Sequence, residues 1–194
     1  MRRAAFAVAV LALLGHGPAA PAAVPAPTPE ITDAARRVNM LLDTWQFKDA
    51  AVELKALETA APNAPETHLL EGYQKFLTGD YDGAVRALTA AADAQPENGE
   101  AKSLKELAAA ARDAIKDFRE ERSAHAIIHY APEDAALAPY ARDTVEAAYA
   151  ALHADLGFEP GQPIRVEFYR APSDLAAVSS LSVAEVARTG TIAL

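Results

Sequence analysis

Gly79-Asp80-Tyr81-Asp82-Gly83-Ala84-Val85-Arg86-Ala87-Leu88-Thr89-Ala90-Ala91-Ala92-Asp93-Ala94-Gln95-Pro96 is the more regular of two copies of one pattern. The looser copy lies 34 residues earlier: Phe47 precedes Tyr81 by that step, as Ala50 does Ala84, Leu54 does Leu88 and Pro62 does Pro96. A 34-residue self-similarity with a small residue, a large apolar residue four positions on and a closing proline points to paired helices stacked in a solenoid. Each recurring residue type has a physical task. Gly79 falls between two helical runs, where a left-handed turn conformation costs glycine little. Asp80 follows at a position where a carboxylate caps the next helix. Ala84 lets two helices approach closely, and Leu88 and Ala91 continue its face at helical spacing. Pro96 ends the run, having no N–H to donate and a ring that clashes with the preceding turn.

The pattern resembles the tetratricopeptide repeat, with one unit over 31–64 and a second over 65–98. The first unit has Trp45-Gln46-Phe47 where the second has Gly79-Asp80-Tyr81. The second departs from the family at Glu71, where leucine is usual before Gly72, and at Lys75, where an aromatic is usual. The resemblance implies a concave groove lined by the first helix of each unit, bringing Asn39, Leu42, Tyr73 and Phe76 toward an extended peptide or a partner helix. Leu42 and Phe76 read better as ordinary core. Asn39 and Tyr73 stand evenly between partner binding and local packing.

Composition narrows the function. The 194 residues, 51% apolar, are enough for one large or two small domains with a real core. Lys and Arg number 18 against 27 Asp and Glu, a formal charge of -9, so phosphate-rich nucleic acid is a poor partner. Acidity for solubility is the plainer reading. With no cysteine, disulfides, thiolate metal sites and a lipid-attachment cysteine are all excluded.

The chain opens with Arg2 and Arg3 and an uncharged run from Ala4 to Leu14, too short to span a bilayer but suited to a secretory signal over 1–23, cleaved among the small residues near Pro18–Ala23. A retained anchor is the competing reading. Cleavage leaves an exported chain, periplasmic or extracellular, without a stable membrane span. A Pro/Ala-rich linker is expected over 24–30. Two repeats bury little alone, and a capping or connector helix over 99–122 supplies the cover, with Leu104, Leu107, Ala111, Ile115 and Phe118 as its stripe.

From Ser123 the period changes. His125–Tyr130 reads as a strand, Asp134–Leu156 as a helix with Leu137, Tyr140, Ala141, Val145, Ala148, Tyr149 and Leu152 on one side, and Ile164–Tyr169 as a half-buried strand. A short helix from Ser173 to Val178, a further turn over Val183–Val186 and a strand over Gly190–Leu194 complete the reading. The expected fold is therefore a helical solenoid of two repeats and a capping helix, followed by a small α/β or α+β region of about three strands. A last strand without turn or cap leaves an unprotected edge, and a fragment of a longer protein is the expectation.

The second half, 123–194, resembles the opening of the peptidase-MA-like domain of gluzincin zinc metallopeptidases. Ile128-His129-Tyr130, the helix from Pro139 to Leu152 with Leu156-Gly157-Phe158, Ile164–Tyr169 followed by Ser173-Asp174-Leu175, and Thr189–Ala193 carry the likeness. It implies a full-length exported zinc peptidase, with H-E-x-x-H beyond Leu194 holding zinc and activating water, and with the repeats presenting substrate or docking the enzyme. The stretch in hand contains no such string, so no catalytic residue and no metal ligand is assigned within it. His125 and His129 are four apart, but Ala126 occupies the glutamate's place and the segment reads as a strand. His68 and His153 are isolated, and Ser179-Ser180 has no nucleophile-elbow setting. The alternative is a non-catalytic envelope scaffold that binds protein through its repeats.

Overall fold

The computed structural model describes residues 28–157, 159–160, 162–179 and 181–189. The expected leader, most of the linker and the expected strand over Gly190–Leu194 lie outside the described residues. The described chain is mostly helical with one small mixed sheet: α1 (Pro29–Asp43), α2 (Phe47–Ala60), α3 (Pro65–Thr78), α4 (Tyr81–Ala94), α5 (Gly99–Ile115), β1 (Arg119–Arg122), β2 (Ala126–Tyr130), a 3-10 turn (Pro132–Asp134), α6 (Ala138–Leu156), β3 (Ile164–Glu167), α7 (Pro172–Ala177) and α8 (Val183–Thr189).

The helix starts keep the spacing of the sequence. α2 and α4 begin at Phe47 and Tyr81, and α3 and α5 at Pro65 and Gly99, so both pairs are offset by 34. Capping explains why they begin there. Asp80 accepts from the Gly83 amide at 2.9 Å, Asn98 from the Ala101 amide at 3.1 Å and Thr28 from the Ile31 amide at 3.4 Å. α3 closes on Gly79, left-handed at φ 81. The equivalent position in the first unit is Trp45, whose φ of 59 makes it the one non-glycine of positive φ among the described residues. A bulky side chain there is strained, which accounts for the looser turn. Pro62 and Pro96 stand just past the ends of α2 and α4.

Neighbouring helices pack in sequence, and α1, α3 and α5 also touch one another along one row, an arrangement consistent with a helical repeat. Val38, Leu42, Ala50, Leu54, Leu57 and Leu70 form the first core. Ala84, Leu88 and Ala108 carry it into the second unit, and Ala91, Ala92 and Ala101 extend it to α5. Burying each large side chain in such a core contributes roughly 1.5–3 kcal/mol. Gly72 is required by contact, because a Cβ there would lie 2.4 Å from Leu88 Cγ. Thr67, 1% exposed, donates its hydroxyl to the Ala61 carbonyl and so satisfies the end of α2.

The long helix expected from Asp134 begins at Ala138, because Pro132–Asp134 closes as a 3-10 turn, and three further expectations need correction. The helix expected over 99–122 stops at Ile115, and Arg119–Arg122 forms β1, pairing antiparallel with β2 from Arg119↔Tyr130 to Arg122↔Ile127. Glu120 and Glu121 look like a solvated helix end in sequence, but β2 offers a ladder partner within a few residues, and pairing wins. The linker stops short of 30, since Pro29 and Glu30 are the first turn of α1. Finally, the single apolar side expected on the long helix splits. Ala141 and Val145 pack with Ala126, Ile128, Tyr130 and Ala138, whereas Leu137, Tyr140 and Leu152 are more than half exposed.

The sheet runs β1-β2-β3, with β2 and β3 parallel in the register Ile128↔Val166 and His129↔Glu167, α6 making the crossover. Strand alternation then sorts the side chains. Ile128 and Val166 face the core under α6, while His129, Arg165 and Glu167 share the opposite face.

Candidate functional site

Three parts of the molecule gather polar side chains from distant sequence. The first lies on the α1–α3–α5 row. Asn39 and Asp43 are one turn apart on α1, and the Asn39 amide donates to Asp43 Oδ2 at 2.8 Å. Tyr73, from α3, donates its hydroxyl to Asp43 Oδ1 at 3.1 Å. The two candidate binding residues therefore meet on one carboxylate that sequence reasoning had passed over. The 30-residue separation of Asp43 and Tyr73 offered no local signal. Partial burial raises the Tyr73 phenol above its ordinary range, and the hydrogen bond and negative charge of Asp43, with the charge of Glu100, add to it. Each Asp43 oxygen accepts one bond here and retains a lone pair for an incoming donor. Close by in sequence, Met40 is 56% and Trp45 69% exposed, with the Trp45 ring edge-on to Phe47 at 5.4 Å. Leu42 and Phe76 are core, Leu42 at 1% exposure and Phe76 packed against Ala84, Leu88 and Ala108.

The second cluster joins the repeats to the sheet. Tyr81 donates to Glu167, 3.1 Å from both carboxylate oxygens, and Tyr169 donates to the same group. Arg165 donates to Glu167 from Nε at 2.6 Å, lies over the Tyr81 ring at 5.3 Å and donates to His129 Nδ1 at 3.0 Å. His129 Nε2 is 3.0 Å from Glu120, which also pairs with Arg122. The arrangement fixes the imidazole as neutral: Nδ1 accepts from Arg165, so the ring proton sits on Nε2 and goes to Glu120. Burial and the Arg165 charge together push its pKa below 6.5, against the opposing pull of Glu120 and Glu167. Burial, with the Glu167 charge, lifts both tyrosines far above their usual range. Both phenols therefore stay protonated at neutral pH and donate to Glu167, so that the cluster ties α4 to β3. It also explains Gly79 more fully. A Cβ on that residue would fall 2.3 Å from the Arg165 guanidinium.

Ser123, His125 and Glu146 invite comparison with a hydrolytic triad. Their connectivity differs from one. Ser123 donates to Glu146 Oε1 at 2.5 Å, and His125 reaches the same carboxylate through its amide and through Nδ1, both at 2.8 Å. Hydroxyl and imidazole thus share an acceptor, and the histidine does not take the serine's proton. Hydrogen bonds from Ser123 and His125 hold Glu146 ionised, its pKa lowered to about 2. The His125 ring stacks on Tyr149 at 3.7 Å, and Tyr149 on His153 at 5.9 Å. Among the described residues no three His, Cys, Asp or Glu side chains come together as a metal ion would need. No described helix is long and apolar enough to cross a membrane.

Where α7 packs on α5, an open cleft of about 550 Å³ is lined by Leu104, Leu107, Ala110 and Ala177, with Glu100, Ser103, Glu106 and Ser179 at its margins. Comparisons with protein-family models, with curated proteins and with solved structures find no match.

Proposed function

We propose that the chain is an exported protein-binding module of the tetratricopeptide type, whose stacked units curve so that the α1–α3–α5 row receives an extended peptide or a partner helix. The observation that carries this reading is the meeting of Asn39 and Tyr73 on the partly free carboxylate of Asp43, across the first helices of two successive units. The 34-residue offset between the starts of α3 and α5 supports it, since α5 then continues the row as the first helix of a further unit. Trp45 adds to it: an exposed indole held in a strained backbone conformation two residues after Asp43 is the kind of residue that anchors interfaces.

The test begins with capture of partners from envelope extracts, followed by rebinding of the identified partner in purified form. The double variant Asn39→Ala/Tyr73→Ala is expected to weaken that purified interaction at least about tenfold, with unchanged helicity by circular dichroism. Equal affinity of variant and parent removes the reading.

A second reading keeps the sheet region as the opening of a gluzincin-type zinc peptidase. Its support is the parallel β2–α6–β3 crossover, in the strand, helix, strand order of that domain. The repeats then dock the enzyme or present its substrate, and zinc is held by residues after Leu194. An open reading frame that continues into H-E-x-x-H favours this reading, and one that continues without it leaves the scaffold.

A further inference from the structure

The α5/α7 cleft adjoins the helix that carries Tyr73: α5 packs on α3, and Glu100 in the first turn of α5 lines the cleft. The walls are apolar, from Leu104, Leu107 and Ala110 on α5 and Ala177 on α7, while Glu100 and Glu106 bring negative charge to the margin. Neither glutamate has an ion-pair partner among the described residues, and the neighbouring Lys102 and Lys105 do not line the cleft. Leu107 is half-buried, lies outside the buried cores of the described residues and lines the cleft.

We propose that this cleft is the far end of the α1–α3–α5 groove and takes an apolar side chain of a basic peptide segment, with a Lys or Arg of that segment against Glu100 and Glu106. The inference rests on the protein-binding reading above and adds the chemistry of the partner. Charge complementarity selects the occupant. An acidic peptide would meet Asp43, Glu100 and Glu106 with like charge, and a purely apolar one would leave them unanswered. Helices packed about 8–10 Å apart put α1 and α5 roughly 20 Å from each other. An extended segment of about six residues, at about 3.3 Å each, spans that distance.

The probe is a fluorescein-labelled peptide of about ten residues with alternating leucine and lysine, long enough to cover the row. Binding to the whole chain is followed by anisotropy at fixed ionic strength. Two counterparts accompany it, one with glutamate for lysine and one with serine for leucine. The leucine/lysine peptide is expected to bind at least about tenfold more tightly than either. Glu100→Lys/Glu106→Lys, on exposed or half-exposed positions, and Leu107→Asp are each expected to weaken it at least about tenfold, with melting temperature followed in parallel. Serine/lysine binding as tight as leucine/lysine, or a leucine/lysine affinity unaffected by Leu107→Asp and by the double charge reversal, overturns the inference. Loss of binding in Asn39→Ala/Tyr73→Ala with none in the cleft variants leaves the groove standing and removes the cleft. The converse result removes the groove and keeps the cleft. Should Leu107→Asp unfold the chain, the charge-reversal variant alone decides.

Discussion

The helical pairs over 28–115 and the sheet region over 119–189 are held by different physics. The pairs interlock through alanine, leucine and valine with little polar content, each unit contacting its neighbours in sequence. The sheet has one small apolar core, around Ile128 and Ala138, and a polar network on its other face. Large apolar side chains accordingly remain uncovered on α6. Leu152 and Leu156 are 55% and 70% exposed on α6, whereas the large apolar residues of α4 are inside. Helices that pack on their sequence neighbours satisfy themselves locally. A three-stranded sheet must lean on something, and here it leans on the α3–α4 turn through Tyr81.

The largest effects come from the cores. Leu88→Ala should lower stability by about 2–5 kcal/mol, and Ile128→Ala by a comparable amount, because each empties a fully buried site. Denaturant unfolding by circular dichroism and by the Trp45 fluorescence reports whether the regions respond together. A shared shift in both signals for both variants means one cooperative unit, and separate transitions mean the joint does not couple them.

Glu167→Ala comes next. It strips the common acceptor from Tyr81, Tyr169 and Arg165, at an expected cost of about 1–3 kcal/mol, without touching either apolar core. Hydrogen exchange should rise in β2 and β3 before it rises in α1 and α2. Uniform acceleration along the chain would contradict this division.

The two equivalent turns differ in a smaller and signed way. Gly79→Ala should cost about 1–2 kcal/mol for the left-handed conformation, and Arg165 must shift to make room. Trp45→Gly should stay within about 1 kcal/mol of the parent, since relief of the same strain offsets loss of the Phe47 ring contact. A large loss of stability in Trp45→Gly would mean that the exposed indole packs more than its surroundings suggest.

The smallest effect is in acid. Glu146 has its pKa depressed from 4.5 to about 2 in the folded chain. Its contribution is therefore present above the unfolded value and is lost as pH falls from about 4.5 toward about 2. His129 acts higher on the scale. Its folded pKa is lowered, so protonation favours the unfolded chain and stability declines as pH drops below 6.5. Glu146→Gln should flatten the acid limb of a melting-temperature profile and leave the decline near neutrality in place. A profile identical to the parent at every pH would remove the carboxylate from that account.

The repeat region was the more legible in sequence. A 34-residue offset in Ala50/Ala84 and Leu54/Leu88 forecasts buried positions, and those four residues are 2% exposed or less. Asp80 as a cap and Gly79 as a left-handed turn follow from local chemistry alone, and both have those roles. β1 was hidden because Arg119-Glu120-Glu121-Arg122 carries neither alternation nor apolar content. Its strand character comes from the partner strand β2. The split of the α6 stripe was hidden for a similar reason, since periodicity says which residues share a face but not how wide a sheet lies beneath. Asn39 and Tyr73 could be named from the resemblance, whereas Asp43, which joins them, became visible only once α1 and α3 were side by side. The same holds for Tyr81, which reads as a repeat residue and also serves the joint with Glu167, 86 positions away.

A double-mutant cycle between Tyr81→Phe and Glu167→Gln bears most directly on whether helical stack and sheet form one body joined at that contact. Thermal or urea unfolding of the parent, both single variants and the double variant gives the coupling. The single losses are expected not to add, with an interaction energy of about 0.5–3 kcal/mol. Losses that sum within about 0.3 kcal/mol would contradict it, because residues on independent bodies do not share a free energy.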